Sequence, residues 1–404
     1  MRIERLFLAD FRNYASLDWR PSPGVDVLVG PNGAGKTNLL EAAFLVLSGR
    51  SPRARAESEM VREGCTETRV GAEVEVGGRR STVGVRLSPE AKQVEVDGRP
   101  VTRLGELAFR TPVVLFRPED LLLAQGPASV RRRFLDEVGR AWSRSYDASL
   151  EATRKALGQR NALLRRLGAG ASTKSAALLL ESWDEAFVAA AAGLLRRRLA
   201  LLAELVPALR RLHAALSGND ALEVRYASSV PELGRRIAAG GAPTAREAPE
   251  TDELLRQALR EALQARLAEE LARGFTLVGP HRDDLRLLLA GRDLRSYGSQ
   301  GQQRTVAVAL RMAQFVLLRQ RLGESPLLLL DDVFSELDGE RRQRLLQLLL
   351  PDVEQAWLTV AEERQAGAGG SLLEIAGSER VKWFRVFSGS LSEVPAGDRS
   401  PSAR

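Results

Sequence analysis

The order of apolar segments predicts an α/β fold, a mixed sheet core interrupted by one long helical insertion. Three observations carry that reading. Apolar strands run into glycine-rich or acidic turns near both ends of the chain, as in GVDVLVGPNG and LLLLDD. Residues 68–101 alternate apolar and polar at the strand period. Residues from Pro118 to about Leu216 are dominated by Ala, Leu, Arg and Glu at helical spacing.

Taken in order, residues 1–29 read as two strands. Ile3, Leu6 and Leu8 precede a turn at residues 11–14, and GVDVLV leads into the glycine-rich loop. A helix follows from Gly35 to about Leu47, with Leu39, Leu40, Ala43 and Leu47 on one face. Breaks at Gly77-Gly78 and Asp97-Gly98 divide residues 68–101 into antiparallel strands joined by hairpin turns. PVVLF, residues 112–116, is a continuous apolar run and predicts a buried strand. Residues 240–249 form a Gly/Pro/Ala-rich link before a helix at 252–273. Strand character returns at 275–278 and 285–289. A helix follows Gly301, then the strand LLLL at 327–330, a helix at 339–350 and the strand AWLTV at 356–360. The expected organisation is a head built from residues 1–117 and 274–390, with its antiparallel region at about 68–101. Residues 118–273 form a helical insertion or lid, and 391–404 a polar, disordered tail.

Composition narrows the function classes. A chain of 404 residues with 44% hydrophobic and 27% charged residues has the balance of a globular protein with a large core. The net charge of +7, carried overwhelmingly by Arg, permits nucleic-acid binding without proving it. Cys65 is the one cysteine, which excludes an intramolecular disulfide and reads as a semi-buried small residue. Two histidines, His213 and His281, exclude a His-rich metal centre. The N-terminus lacks the apolar core of a signal peptide, and no apolar run reaches bilayer length. A cytoplasmic protein with no membrane partner is expected.

The strongest chemical signal is Gly30-Pro31-Asn32-Gly33-Ala34-Gly35-Lys36-Thr37, which satisfies the phosphate-loop pattern G-x-x-x-x-G-K-[ST]. Its glycines let backbone N–H groups turn inward around a phosphate, and Lys36 reaches toward the β- and γ-phosphates. Thr37 offers a hydroxyl to Mg²⁺, and the helix beginning near Gly35 adds its positive N-terminal dipole. A strand before and a helix after supply the context that the motif needs. The loop is expected to bind ATP.

Asp331 and Asp332 end the apolar strand LLLL. Asp331 is placed to hold Mg²⁺ and Asp332 to polarise an attacking water, the bland alternative being a cap on the next turn. Ser335-Glu336-Leu337-Asp338 follows and resembles the D-loop of ABC ATPases. Upstream, Ser299-Gln300-Gly301-Gln302 opens a helix and resembles the ABC signature in the variant Ser-x-Gly-Gln. By itself it would be a helix cap; in this company it reads as a second anion cradle. The fold implied is an ABC-type ATPase head with a helical lid. In that class the loop and the signature of one subunit face away from each other. Two chains must therefore meet head to tail as an ATP-dependent homodimer, with ATP between Lys36 of one and Ser299 of the other.

Three further stretches resemble the RecF family of bacterial recombinational-repair proteins. They are Asp10-Phe11-Arg12-Asn13-Tyr14; Pro118-Glu119-Asp120-Leu121 with Gly126-Pro127 and Arg131-Arg132-Arg133-Phe134-Leu135-Asp136; and Gly279-Pro280-His281-Arg282-Asp283-Asp284. With the nucleotide motifs, the resemblance runs from about residue 2 to 345. It implies a repair protein that dimerises on ATP and engages duplex and single-stranded DNA at gap junctions. There, with RecR and indirectly RecO, it promotes RecA loading in recombinational repair, replication restart and SOS induction. Arg12 is placed to approach the phosphates, or simply lies beside the strand. Arg131, Arg132 and Arg133 touch DNA phosphate or a partner subunit, or form a solvated helix face. His281 and Arg282 share that choice, with a hairpin corner as the alternative. Three departures from the ABC pattern point to a weak, DNA-stimulated ATPase that works as a switch. Asp332 stands where Glu is usual, Arg117 and Glu119 stand near the usual Gln, and no histidine follows the D-loop. The rival classes are an SMC-like or nuclease-associated ATPase and a transporter's nucleotide-binding subunit. The long heptad arms, clustered metal ligands or coupling features that would mark them are absent from the sequence.

Overall fold

The computed structural model describes residues 1–168, 170, 172–218, 221–238, 249–333, 338–360 and 378–395. The chain divides into two units: Met1–Leu121 with Leu212–Asn219 and Gln300–Arg404, and Leu122–Arg211 with Asp220–Ser299.

The first unit contains two sheets. β1 (Arg2–Phe11) and β2 (Tyr14–Trp19) form a hairpin, and β3 (Gly24–Val29) leaves for the other sheet. β4 (Thr68–Val76), β5 (Arg79–Leu87), β6 (Lys92–Val96) and β7 (Arg99–Pro100) complete an antiparallel sheet in the order β2-β1-β4-β5-β6-β7. Residues 1–29 thus hold three strands where two were expected. In β2 only Tyr14 and Trp19 are fully buried, so its apolar period is too weak to read. The second sheet adds β8 (Val113–Phe116), β12 (Leu327–Leu330), β13 (Gln355–Val360), β14 (Val381–Phe387) and β15 (Ser390–Glu393) to β3. Its order is β15-β14-β3-β13-β12-β8, parallel except for the β14–β15 hairpin. The expected tail therefore starts later than 391: Ser390–Glu393 is paired, and the Val394 N–H donates to Trp383 O at 2.8 Å. Residues 396–404 lie outside the described residues.

Helix α1 (Lys36–Ser48) explains why these sheets belong together. Ten of its residues are buried, on every side, so it has no solvent face. Its apolar side chains join residues of both sheets in one core cluster. The indole of Trp19 lies 4.5 Å from that of Trp357 and 5.3 Å from the Phe384 ring. Buried Gln355 accepts from Ile3 N–H and donates to Ile3 O and Ser22 O, fixing β1 against the start of β13. The remaining helices of this unit are α2 (Leu104–Arg110), α10 (Gln300–Leu322) and α11 (Gly339–Leu349).

The second unit is mostly helical. It comprises α3 (Leu122–Gln125), α4 (Ala128–Trp142), α5 (Arg144–Leu167), most of α6 (Thr173–Ser217), α7 (Pro231–Ala238), α8 (Pro249–Arg273) and α9 (Leu294–Tyr297). A small antiparallel sheet of order β11-β10-β9 joins them, with β9 (Leu222–Ala227), β10 (Asp284–Leu289) and β11 (Arg292–Asp293). The link expected at 240–249 falls almost wholly outside the described residues. The boundary expected at 274 moves to 299, because β10 pairs along its length with β9 of this unit. Residues 275–278 are not a strand. Side chains replace a sheet partner: Asn161 Oδ1 accepts from Thr276 N–H, Glu270 Oε1 accepts from Leu277 N–H, and Arg282 donates to Thr276 O. Fully buried Arg160 joins the same knot, donating to Asp184 and Thr276 and forming an ion pair with Glu270. Losing one partner of such a buried pair typically costs about 3–5 kcal/mol.

One buried carboxyl in the first unit gives a pH test. Asp26 on β3 is fully buried and accepts from the Ser22 N–H at 3.0 Å and from the Ser22 hydroxyl. Burial pushes its carboxyl up to about 7, well above the ordinary aspartate range. The folded state therefore holds a proton that the unfolded chain releases near pH 4. Stability from this group is complete below pH 4 and is lost as pH rises through 7. Asp26→Asn should gain in urea midpoint over wild type progressively between pH 4 and 7 and level off above. A constant difference across that range would contradict the buried protonated carboxyl.

Candidate phosphate-binding site

β3 is buried along its whole length and delivers the chain to Gly30, after which the loop turns into α1 at Lys36. Gly35 caps that helix with φ +115°, and a Cβ there would come within 2.7 Å of the Asn13 amide. Lys36 Nζ donates to Gly30 O at 2.6 Å and Pro31 O at 2.9 Å, so its ammonium is held across the loop. Burial pulls its pKa below the ordinary lysine value, and the charges of Asp332 and Asp331 oppose that shift.

Across from the loop, β12 ends in the two carboxylates. Thr37 Oγ1 donates to Asp331 Oδ1 at 2.9 Å, and Thr359 Oγ1 donates to the same oxygen at 2.9 Å. Burial pushes the Asp331 carboxyl up, and the two threonine hydroxyls pull it back down. Asp332 adopts φ +49°, and its N–H donates to Thr359 Oγ1 at 2.9 Å. Asn32, Gly33, Lys36, Thr37, Asp331 and Asp332 all line one cleft of about 340 Å³. The structure thus brings together residues drawn from opposite ends of the sequence.

The same cleft includes residues the sequence reading missed. Thr359, the penultimate residue of β13, lies beside Asp331, its only sequence signal being a polar residue late in an apolar strand. Arg53 also lines the cleft, where its charge favours the ionised Asp331. Asn13 and Tyr14 brace the loop from outside: Asn13 Nδ2 donates to Ala34 O at 2.9 Å and Tyr14 Oη to Gly35 O at 3.0 Å. Asn38 in turn donates to Asn13 Oδ1 at 2.8 Å.

Arg12 is engaged by residues of its own unit. Its Nε and Nη2 form a bidentate pair with fully buried Glu41 at 2.9 and 2.8 Å, and Nη1 donates to Glu59 O. The guanidinium anchors the β1–β2 turn to α1 and is not among the residues lining the cleft. Glu41 in the middle of an otherwise apolar helix is the signal that could have found this pair.

None of the remaining described candidates is among the residues lining the cleft. Ser299 is exposed in the second unit, directly before α10; Gln300 is exposed, and Gly301 and Gln302 are half-buried in its first turn. Asp338 caps α11 by accepting from the Arg341 N–H, and Ser335 lies outside the described residues. Arg131 is buried: it pairs with Asp284 through Nε and Nη2 at 2.8 and 2.9 Å and donates to Leu123 O and Gly126 O. That geometry occupies its guanidinium inside the second unit. Arg132 donates to Asp283 O, while Arg133 is exposed. His281 is pushed down to about 4 by burial and is neutral near pH 7, its Nε2 on Thr276 O and its ring edge-on to Phe187. Arg282 is exposed, donates to the same carbonyl and stacks on Phe275 at 4.8 Å.

The donor set fits a polyphosphate with a hard divalent cation. Gly33 faces open space where a side chain would stand, and Lys36 and Arg53 supply positive charge at the cleft. Thr37 and Asp331 offer adjacent oxygens of the kind Mg²⁺ takes when phosphate oxygens complete its shell. Among the described residues no group of three His, Cys, Asp or Glu could hold a metal without such help.

Thr359→Val keeps the shape but deletes both hydroxyl contacts. The Asp331 carboxyl then rises further, so Mg²⁺-dependent binding of inorganic tripolyphosphate should fail at a higher pH than in wild type. Calorimetric titration between pH 5 and 8 checks this, and superimposable pH profiles would exclude the role given to Thr359.

Comparison with known proteins agrees with this geometry. Residues 2–366 match the model of the RecF/RecN/SMC N terminal domain family. The DNA replication and repair protein RecF of Heliobacterium modesticaldum is 40% identical over 361 residues, covering 89% of this chain and 92% of its own. That of Chloroflexus aurantiacus is 39% identical, covering 96% and 100%. A solved structure of the recombination mediator protein RecF with ATP in the RecFOR pathway superposes with TM-score 0.83 at 28% identity, covering 97% of each chain. An Smc head bound to the C-winged helix domain of ScpA, 14% identical with TM-score 0.51, shares the fold alone. The mixed α/β architecture is that of the RecF and SMC head ATPases. This chain belongs to the RecF family of DNA replication and repair proteins.

Proposed function

We propose that the chain is a cytoplasmic ATP-gated repair protein whose complete site forms between two copies. The observation that carries this reading is the Thr37–Asp331–Thr359 hydrogen-bonded chain beside Lys36, in a cleft of about 340 Å³. The loop N–H groups and Lys36 bind the phosphates, Thr37 and Asp331 hold Mg²⁺, and Asp332 orients water. Ser299, Gln300, Gly301 and Gln302 present an exposed or half-exposed helix start, which receives the γ-phosphate of the other copy. The short arm of Asp332 and the lack of a histidine after the D-loop in the sequence favour slow turnover, so that ATP works as an assembly switch.

The dimer engages DNA at single-strand gaps and, with RecR and indirectly RecO, promotes RecA loading during recombinational repair, replication restart and SOS induction. The family membership and the RecFOR setting of the structural relatives support this reading. Among the described residues no helix is long and apolar enough to cross a membrane. Phosphate contacts through exposed arginines such as Arg133 and Arg282 predict sequence-tolerant binding, with log affinity falling linearly in log salt. Salt-insensitive or strongly sequence-selective binding to gapped duplexes would contradict it.

The composite site is tested by complementation. Ser299→Arg should bind ATP yet fail to turn it over, dropping to about a hundredth of wild type or less, the scale of losing a key anion donor. Lys36→Met should lose ATP binding. A mixture of the two restores one intact site per heterodimer and recovers part of the turnover. Normal hydrolysis by Ser299→Arg alone would disprove the arrangement.

A further inference from the structure

The Mg²⁺ and γ-phosphate end of the cleft is fixed by Asp331 at the end of β12 and Thr359 at the end of β13. In the sheet order β15-β14-β3-β13-β12-β8 both strands lie on one side of β3, whose end carries the loop. A nucleotide with its terminal phosphate on that side extends its base toward the other, where β14 flanks β3 in parallel register, Arg385 beside Val29. β14 ends there in Phe387, with 64% of its surface exposed.

Phe387 is held on a rigid mount. Ser388 and Gly389 form the hairpin turn with φ +44° and +77°, and Ser390 Oγ donates to Phe387 O at 2.6 Å. The turn leans on the phosphate loop itself. Gly389 N–H donates to Ala34 O at 3.2 Å, and a Cβ on Gly389 would collide with Asn13 O. Gly30 packs as closely on Val386 O. Among the described residues of the first unit the other exposed aromatic is Phe7, and its ring lies over Gly71 on the antiparallel sheet. No aromatic among the described residues lines the phosphate cleft.

Resting on the phosphate-loop reading, we propose that Phe387 is the base platform of this site, stacking its ring on the purine of the bound nucleoside triphosphate. A flat, apolar ring fixed beside the loop suits a purine face, and stacking of a base on an aromatic side chain is sequence-tolerant and favourable. The tight turn supplies the preorganisation, since the ring is presented before any ligand arrives.

The test compares ATP with inorganic tripolyphosphate, which has the phosphates but no base, on the full-length chain with Mg²⁺. Phe387→Ala and Phe387→Leu should each bind ATP about tenfold more weakly while binding tripolyphosphate as wild type does, and Phe387→Tyr should retain ATP affinity. The leucine variant keeps apolar bulk and loses the flat face. ATP affinity unchanged in both variants overturns the proposal, including the case where only dimerisation weakens, which would assign Phe387 to a protein contact. Equal loss of both ligands overturns it as well, since the turn would then act only by shaping the loop. A wild-type chain that binds neither ligand removes the phosphate-loop reading and this inference with it.

Discussion

The carbonyl of Ala34 accepts two hydrogen bonds, from the Asn13 side chain and from the Gly389 N–H. One donor comes from the turn between β1 and β2, the other from the turn between β14 and β15. The phosphate loop is therefore clamped between the antiparallel sheet and the edge of the parallel one. Helix α1, buried all round, forces the same closeness from below, because its apolar side chains have no other place to go. The glycines at 30 and 389 sit where these backbones touch and Gly35 lies against the Asn13 side chain, and each would collide through a Cβ. Loop shape is thus set by packing rather than by ligand, and the Lys36, Thr37 and Asp331 contacts inherit that precision.

The parts of the site that were legible share a property: they are contiguous. Residues 30–37, with a strand before and a helix after, specify a phosphate loop by backbone need alone, and LLLLDD marks a strand end with carboxylates. Thr359 and Arg53 were not legible, since a lone threonine in AWLTV or an arginine in a loop carries no period and no spacing. The Arg12–Glu41 pair was not legible because Glu41 lies on a helix whose burial on every side cannot be seen from an amphipathic pattern. β2 and residues 275–278 were misjudged for related reasons. The first buries too little to show alternation, and the second satisfies its backbone with Asn161, Glu270 and Arg282 side chains rather than with a strand.

Arginine content proves a poor map of the charged surface. Arg131, Arg160, Arg198 and Arg311 are all buried, each paired with a carboxylate inside its own unit. Arg198 alone ties Asp136, Tyr146, Tyr226 and Pro280 O together, and Asp283 joins through Tyr226 and Ser229. The stretch GPHRDD is thereby largely a folding element of the second unit. Planar guanidinium donors suit such buried corners as well as they suit phosphate. A basic sequence can therefore place much of its arginine where no polyanion reaches it.

The central claim is that the cleft is half a site and that nucleotide completes it by bringing two chains together. Light scattering of the full-length wild-type chain, with and without Mg²⁺ and ATP, tests this most directly. The account predicts a mass near the 44.1 kDa of one chain without nucleotide and twice that with it. A mass unchanged by saturating ATP, whether monomeric or dimeric throughout, would contradict it.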